Sequence, residues 1–190
     1  MVDTRSTADP EYTDADFQMV RRIAKQEAGI FIPDSKSTLV YSRVSRRVRE
    51  SGMESFHAYL NFVQSPPGRA EMEKLVCALT TNVTSFFRER PHFVHMEQHV
   101  LPELAARLRS GGRGRIWSAA CSTGPEPWSI AMSVLSVLPE AASYDMRILA
   151  TDINSDVVAQ AAKGTYVASE TDGISSAQKA SSCRQTAAAT

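Results

Sequence analysis

The stretch from Arg115 to Asp152 constrains this chain most. A short apolar segment, Arg115-Ile116-Trp117-Ser118-Ala119-Ala120, runs into a small-residue loop, Cys121-Ser122-Thr123-Gly124-Pro125-Glu126-Pro127. An amphipathic run from Trp128 to Leu138 follows, and then a second apolar strand, Met146 to Ala150, that ends in Thr151-Asp152. Strand, tight loop, helix and a second strand with an acid at its carboxyl end make the first half of a nucleotide-binding α/β sheet. A carboxylate there can accept hydrogen bonds from both hydroxyls of a ribose. The loop suits phosphate poorly, because it has a single glycine and places Glu126 where a pyrophosphate needs bare amides or positive charge. A ligand with adenosine but no phosphate fits better. S-adenosylmethionine is the common one, and its cationic sulfonium and ammonium would be helped by Glu126.

With 190 residues the chain can build one good core, or a small domain plus a partial one. Lysine plus arginine equals aspartate plus glutamate at 21 each, so the global field favours no class of partner. No apolar run approaches the length of a membrane helix, so direct membrane insertion is not expected, and Met1 to Glu11 is too polar for a signal peptide. The cysteines Cys77, Cys121 and Cys183 are odd in number and far apart, which disfavours a disulfide framework or a zinc site. A cytoplasmic protein is expected, and a monomer.

The pattern before the α/β part is helical. Asp14 is placed to cap a helix with Phe17, Val20, Ile23 and Ala24 on one face, closed by Gly29. A second helix, from Ser37 to Glu50, repeats Val40, Val44 and Val48 and ends at Gly52. A third carries Phe56, Tyr59, Leu60 and Val63, and a fourth, after the Ser65-Pro66-Pro67-Gly68 break, carries Met72, Leu75, Val76 and Leu79. Four short helices with one apolar stripe each predict a small bundle. Pro91 is placed to start a further helix reaching Arg109 with a kink at Pro102, and Asp156 to Lys163 reads as a helix stopped by Gly164. From Thr171 onward alanine, serine, threonine and glutamine dominate, with Ile174 the single large apolar residue, and disorder is expected. The expected division is a disordered start at 1–13, a helical domain at 14–80, a partial α/β domain at 81–170, and a disordered or aberrant tail at 171–190.

Several motifs in order resemble one family. Thr80-Thr81-Asn82-Val83-Thr84-Ser85-Phe86-Phe87-Arg88-Glu89 is similar to the signature segment of the CheR-type chemotaxis receptor methyltransferases. So are Ile116 to Gly124, Glu126-Pro127-Trp128-Ser129-Ile130-Ala131, Ala150 to Asn154 and Lys163-Gly164-Thr165-Tyr166. The resemblance covers about residues 15 to 170. It implies an all-α N-terminal bundle followed by a partial Rossmann-like methyltransferase domain that uses S-adenosylmethionine. The implied reaction is methyl transfer to glutamate side chains in the cytoplasmic domain of membrane chemoreceptors, a protein-glutamate O-methyltransferase activity. The residues that match the family's cofactor contacts are Asn82, Thr84, Arg88, Glu126 and Asp152. Arg88 also matches a catalytic role, pairing with the methionine carboxylate or orienting the attacking glutamate. Pro125 stands where the family often has an acid. The family's further strands, its inserted receptor-docking β-subdomain and a late active-site strand have no counterpart here. The pattern is that of a chain truncated or frame-altered after about Glu170, so little activity is expected of it. The alternative is a non-catalytic remnant that binds receptor or S-adenosylmethionine.

The second helix places Arg43, Arg46 and Arg47 away from its valines. A solvated face is the ordinary explanation, and the resemblance shifts it toward recognition of acidic receptor helices. Nucleic acid is not expected, because no aromatics interleave with these arginines. His92, His95 and His99 can share a helix face, but no acid or cysteine completes a metal motif, and no metal is expected.

Overall fold

The computed structural model describes residues 12–183. Residues 1–11 and 184–190, which hold most of the expected N-terminal segment and the end of the expected tail, lie outside the described residues. The chain forms two compact units, Met1–Thr81 and Asn82–Thr190.

The first unit is helical. Helix α1 spans Asp14–Ala28, α2 Ser37–Ser51, α3 Phe56–Val63 and α4 Arg69–Leu79. Their apolar stripes converge on a core that includes Val20, Ile23, Val44, Val48, Phe56, Tyr59, Leu60 and Leu75. The cap of α1 is Thr13 rather than Asp14. The Thr13 hydroxyl accepts the Asp16 N–H at 3.2 Å, and the Asp16 carboxylate accepts the Thr13 N–H at 3.0 Å. This reciprocal pair satisfies two orphan donors at once, which a cap at Asp14 would not do.

The second unit begins with irregular chain and then α5 at Arg90–His95 and α6 at Leu101–Arg109. One π-helical turn, Met96–Val100, joins them. Pro102 has no N–H to donate and would press on the carbonyl of Gln98, so the turn widens ahead of it. Strands β1, Gly114–Ala119, and β2, Met146–Thr151, pair in parallel with Trp117 beside Leu149 and Ala119 beside Thr151. Helix α7, Pro125–Val137, makes the crossover and starts three residues before the expected Trp128, because proline is well suited to a first helical position. One sheet face, with Ile116, Met146 and Ile148, joins the core of Leu104, Leu108, Met132 and Val134. On the other face Trp117 and Leu149 stay 66% and 59% exposed. Helix α8 spans Ser155–Lys163 and α9 Ser176–Ser182.

The segment from Thr171 to Cys183 departs from the expected disorder. Ser175 and Gln178 form a capping box that starts α9, and Ile174 is buried in the core with Phe86. Gly173 lies so close to the Phe86 carbonyl that a side chain there would strike it. One buried isoleucine and a well-formed cap replace the run of apolar residues that the sequence lacks.

The expected basic face of α2 is also different. Arg43 donates to the carbonyls of Leu79 and Thr80 at 2.9 and 2.8 Å, closing the end of α4. Arg47 grips both oxygens of Glu71 at 2.7 and 2.8 Å and also pairs with Glu50. The Tyr59 hydroxyl donates to the same Glu71 at 3.0 Å, and burial pushes its ionisation well above the usual range, so it stays a donor. Arg46, 80% exposed and paired with Glu50, is the one of the three that faces solvent. Glu71→Ala would strip Arg47 and Tyr59 of a common acceptor in a largely buried setting. It should destabilise the helical unit by about 1–3 kcal/mol, read by urea unfolding. A midpoint unchanged from the parent's would contradict this.

Candidate functional site

The candidate site forms where β1 and β2 end. Past the last paired residues, the Cys121 N–H donates to the Thr151 carbonyl at 2.8 Å, and the Ser122 N–H donates to the Asp152 carboxylate at 2.8 Å. The other Asp152 oxygen accepts the Asn154 N–H at 2.9 Å. The Gly124 N–H turns back to the Cys121 carbonyl at 3.1 Å. The amides of Cys121, Ser122 and Gly124 are thus spent inside the fold. A phosphate cradle needs such amides pointing outward, so this loop is not built as one. The Asp152 carboxylate has accepted one bond per oxygen and retains a lone pair on each.

Backbone strain collects in the same place. Among the described residues, the non-glycine positions with positive φ are Phe87 (51°), Glu89 (56°), Ala120 (62°) and Ser122 (51°). Each costs of order 1–3 kcal/mol and persists only where surrounding contacts hold it. All four lie in the loop after β1 or in the chain that precedes α5. Gly124, at φ 103°, is needed for a further reason, because a side chain there would meet the Tyr166 hydroxyl and Ala161 of α8.

Five of the expected residues fall within this unit. Asn82 and Asp152 are brought together through Ser122, whose hydroxyl donates to the Asn82 carbonyl at 3.0 Å while its N–H holds Asp152. Glu126 is exposed in the first turn of α7, where the helix dipole favours an acid, and accepts the Ser118 hydroxyl at 2.6 Å. Thr84 is half-buried, and Arg88 is exposed with its guanidinium folded onto the Val83 carbonyl at 3.0 Å. The chain carrying these two is anchored where the Phe87 N–H donates to the buried Ser129 hydroxyl at 2.9 Å. Arg43, Arg46 and Arg47 belong to the helical unit. Reading the sequence did not single out Ser118, Ser122 or Ser129. Their only signal there is small hydroxyls recurring at the end of a strand, in a tight loop and in the next helix. Among the described residues, no cluster of three or more His, Cys, Asp or Glu side chains is placed to hold a metal ion.

Two further groups set the local electrostatics. The Tyr166 hydroxyl donates to the Thr123 carbonyl at 2.8 Å, and burial pushes its ionisation up to about 12, so it remains a donor through the physiological range. Burial, and then the charge of Asp152, pushes the Cys121 thiol up as well. A raised thiol pKa leaves less thiolate at any given pH, and Cys121 is buried, whereas Cys183 is exposed. Iodoacetamide at mildly alkaline pH should therefore alkylate Cys183 about tenfold or more faster than Cys121, measured by peptide mass spectrometry. Equal rates would mean that the loop opens far more than its hydrogen bonds imply.

Comparison with known proteins identifies the family. Residues 15–80 match the all-alpha domain of the CheR methyltransferases, and residues 82–190 match their SAM binding domain. A probable chemotaxis protein methyltransferase of Rhizobium etli is 50% identical over 153 residues, which is 80% of this chain and 57% of that protein. Chemotaxis protein methyltransferase 2 of Pseudomonas aeruginosa is 44% identical over 158 residues, 82% of this chain and 53% of that protein. The chemotaxis protein methyltransferase of Escherichia coli is 40% identical over 154 residues, 81% of this chain and 51% of that protein. The chain thus spans about half the length of the curated relatives it matches. With both of the family's domains matched in order over most of its length, the chain belongs to the CheR methyltransferase family.

Proposed function

We propose that the second unit binds S-adenosylmethionine at the carboxyl ends of β1 and β2, and that the protein serves methyl transfer to glutamate side chains of membrane chemoreceptors. The observation that carries this reading is the Asp152 carboxylate, held by two main-chain amides at a strand end beside a loop in which the amides of Cys121, Ser122 and Gly124 are consumed. That combination supports a ribose-bearing ligand without phosphate. Asp152 would accept the ribose hydroxyls. Glu126 would face the cationic sulfonium or ammonium, with Ser118 holding one of its oxygens. Asn82 and Thr84 would supply neutral polar contacts, and Arg88 would leave Val83 to pair with the methionine carboxylate or to orient the acceptor.

When bound, the cofactor supplies a methyl group activated by its positive sulfur. The protein's part is alignment, because in-line displacement gains most from holding the reacting groups in line. A glutamate acceptor is already ionised at neutral pH, so no strong general base is required. For the 190-residue chain by itself, the uncovered Trp117 and Leu149 face favours a second reading, in which cofactor binds with little turnover. In the helical unit, Arg46 is the outward guanidinium for an acidic receptor helix, while Arg43 and Arg47 brace the helix that presents it.

Asp152→Ala should weaken binding of S-adenosylmethionine and of its demethylated product by about ten- to a hundredfold in calorimetry, the loss of a charge-assisted hydrogen bond. Undiminished affinity in a folded variant would remove Asp152 from the site. Receptor recognition is tested by Arg46→Glu in a pull-down with receptor cytoplasmic fragments at low and high salt. Capture should fall with the charge reversal, and with salt for the parent chain. Indifference to both would leave α2 a solvated face.

A further inference from the structure

We propose that Ser122 and Ser129 are positioning residues, two hydroxyl anchors that set residues 82–88 against the loop after β1 in the geometry that receives the cofactor. The inference rests on the cofactor reading above. Residues 82–88 belong to no helix or strand, so no ladder of main-chain bonds fixes them. Their own turn bond is the long one from the Arg88 N–H to the Ser85 carbonyl, 3.3 Å, and Phe87 is held at φ 51°. Anchors must come from elsewhere, and two buried serines supply them. At the start, Ser122 donates its hydroxyl to the Asn82 carbonyl at 3.0 Å. Near the end, Ser129 accepts the Phe87 N–H at 2.9 Å and donates to the Pro125 carbonyl at 2.6 Å, so its hydroxyl is used in both directions.

Both serines act through other residues. Ser122 also gives its N–H to Asp152, so one residue registers the start of the 82–88 segment against the carboxylate. Ser129 lies in α7, the helix that carries Glu126, and so ties Arg88's neighbour to the element bearing the second candidate carboxylate. Asn82, Thr84, Arg88, Glu126 and Asp152 thereby share one frame of reference. The polar groups of these serines are consumed by the fold, which suits them to holding the site rather than touching the ligand.

The test compares the parent chain with Ser122→Ala, Ser122→Gly and Ser129→Ala. Glycine takes φ 51° freely, so Ser122→Gly removes the hydroxyl while relaxing the backbone, and Ser122→Ala removes it while keeping the strain. Both keep the N–H that holds Asp152. Amide hydrogen exchange of the unliganded chains is measured together with calorimetry on S-adenosylhomocysteine. The expected result is exchange at 82–88 faster by about three- to tenfold in every variant, with 56–63 unchanged, and product affinity weaker by about three- to tenfold. A role in backbone strain alone would leave Ser122→Ala like the parent and move Ser122→Gly by itself, and that outcome overturns the proposal. So does exchange at 82–88 equal to the parent's, or faster exchange with undiminished affinity. If the parent itself fails to bind product, the cofactor reading fails. Faster exchange at 82–88 would then still support the anchors, and unchanged exchange would still overturn them.

Discussion

The in-register parallel pairing of β1 and β2 is the constraint on which the second unit depends. Parallel strands bring their carboxyl ends to one edge, so the loop after β1 and the acid after β2 meet there. The ladder runs one step past the strands, from the Cys121 N–H to the Thr151 carbonyl. At the next step a side chain takes the place of the main-chain acceptor, and the Ser122 N–H goes to Asp152. The carboxylate is therefore oriented by main chain on both of its oxygens. A group fixed this way pays little ordering entropy when a ligand arrives, which is what a site built for recognition needs.

The elements of this fold were legible in the sequence because their periods are clean. Val40, Val44 and Val48 mark one face of α2, and Gly29, Gly52 and Gly164 stand at helix ends in the left-handed conformation that favours glycine. The strand that leads into Asp152 was equally plain. What escaped was the set of partners. Periodicity says that Arg43 and Arg47 avoid the valine stripe, but not that the end of α4 and Glu71 lie within reach. The cap at Thr13 escaped because Asp14 is also a good capping residue, and only the return bond from Asp16 separates them. Ile174 escaped because composition averages over a segment, whereas one well-placed side chain can anchor it. Of the candidate site, the carboxylates could be found from strand ends and loop position. The serines that arrange it could not, because a buried hydroxyl and a solvated one are the same letter.

The two units use polar side chains for opposite ends. In the helical unit, charged groups serve as braces between helices: Arg47, Glu71 and Tyr59 share one cluster, and Arg43 closes a helix terminus. These are interactions that fix how helices of modest length sit together, where apolar stripes alone permit sliding. In the α/β unit, small hydroxyls and one tyrosine fasten irregular chain at the sheet edge. Short side chains leave little slack, so the loop after β1 and the chain before α5 can keep two unfavourable φ values each without a lattice of secondary structure around them. A balanced formal charge, 21 of each sign, hides this division of labour.

Gly173 and Ile174 close on Phe86, near the opposite end of the second unit. This contact spans most of that unit's chain, and its consequence lies in the order of events during synthesis. The helical unit draws its core from residues that precede Thr81 and can complete itself as soon as they emerge. The chain around Phe86 must wait, with its aromatic rings uncovered, until residue 174 has been made. The signature segment is thus among the early parts of its unit to be translated and among the last to be enclosed. Between those two moments it is open to chaperones, to proteases and to other unfinished chains.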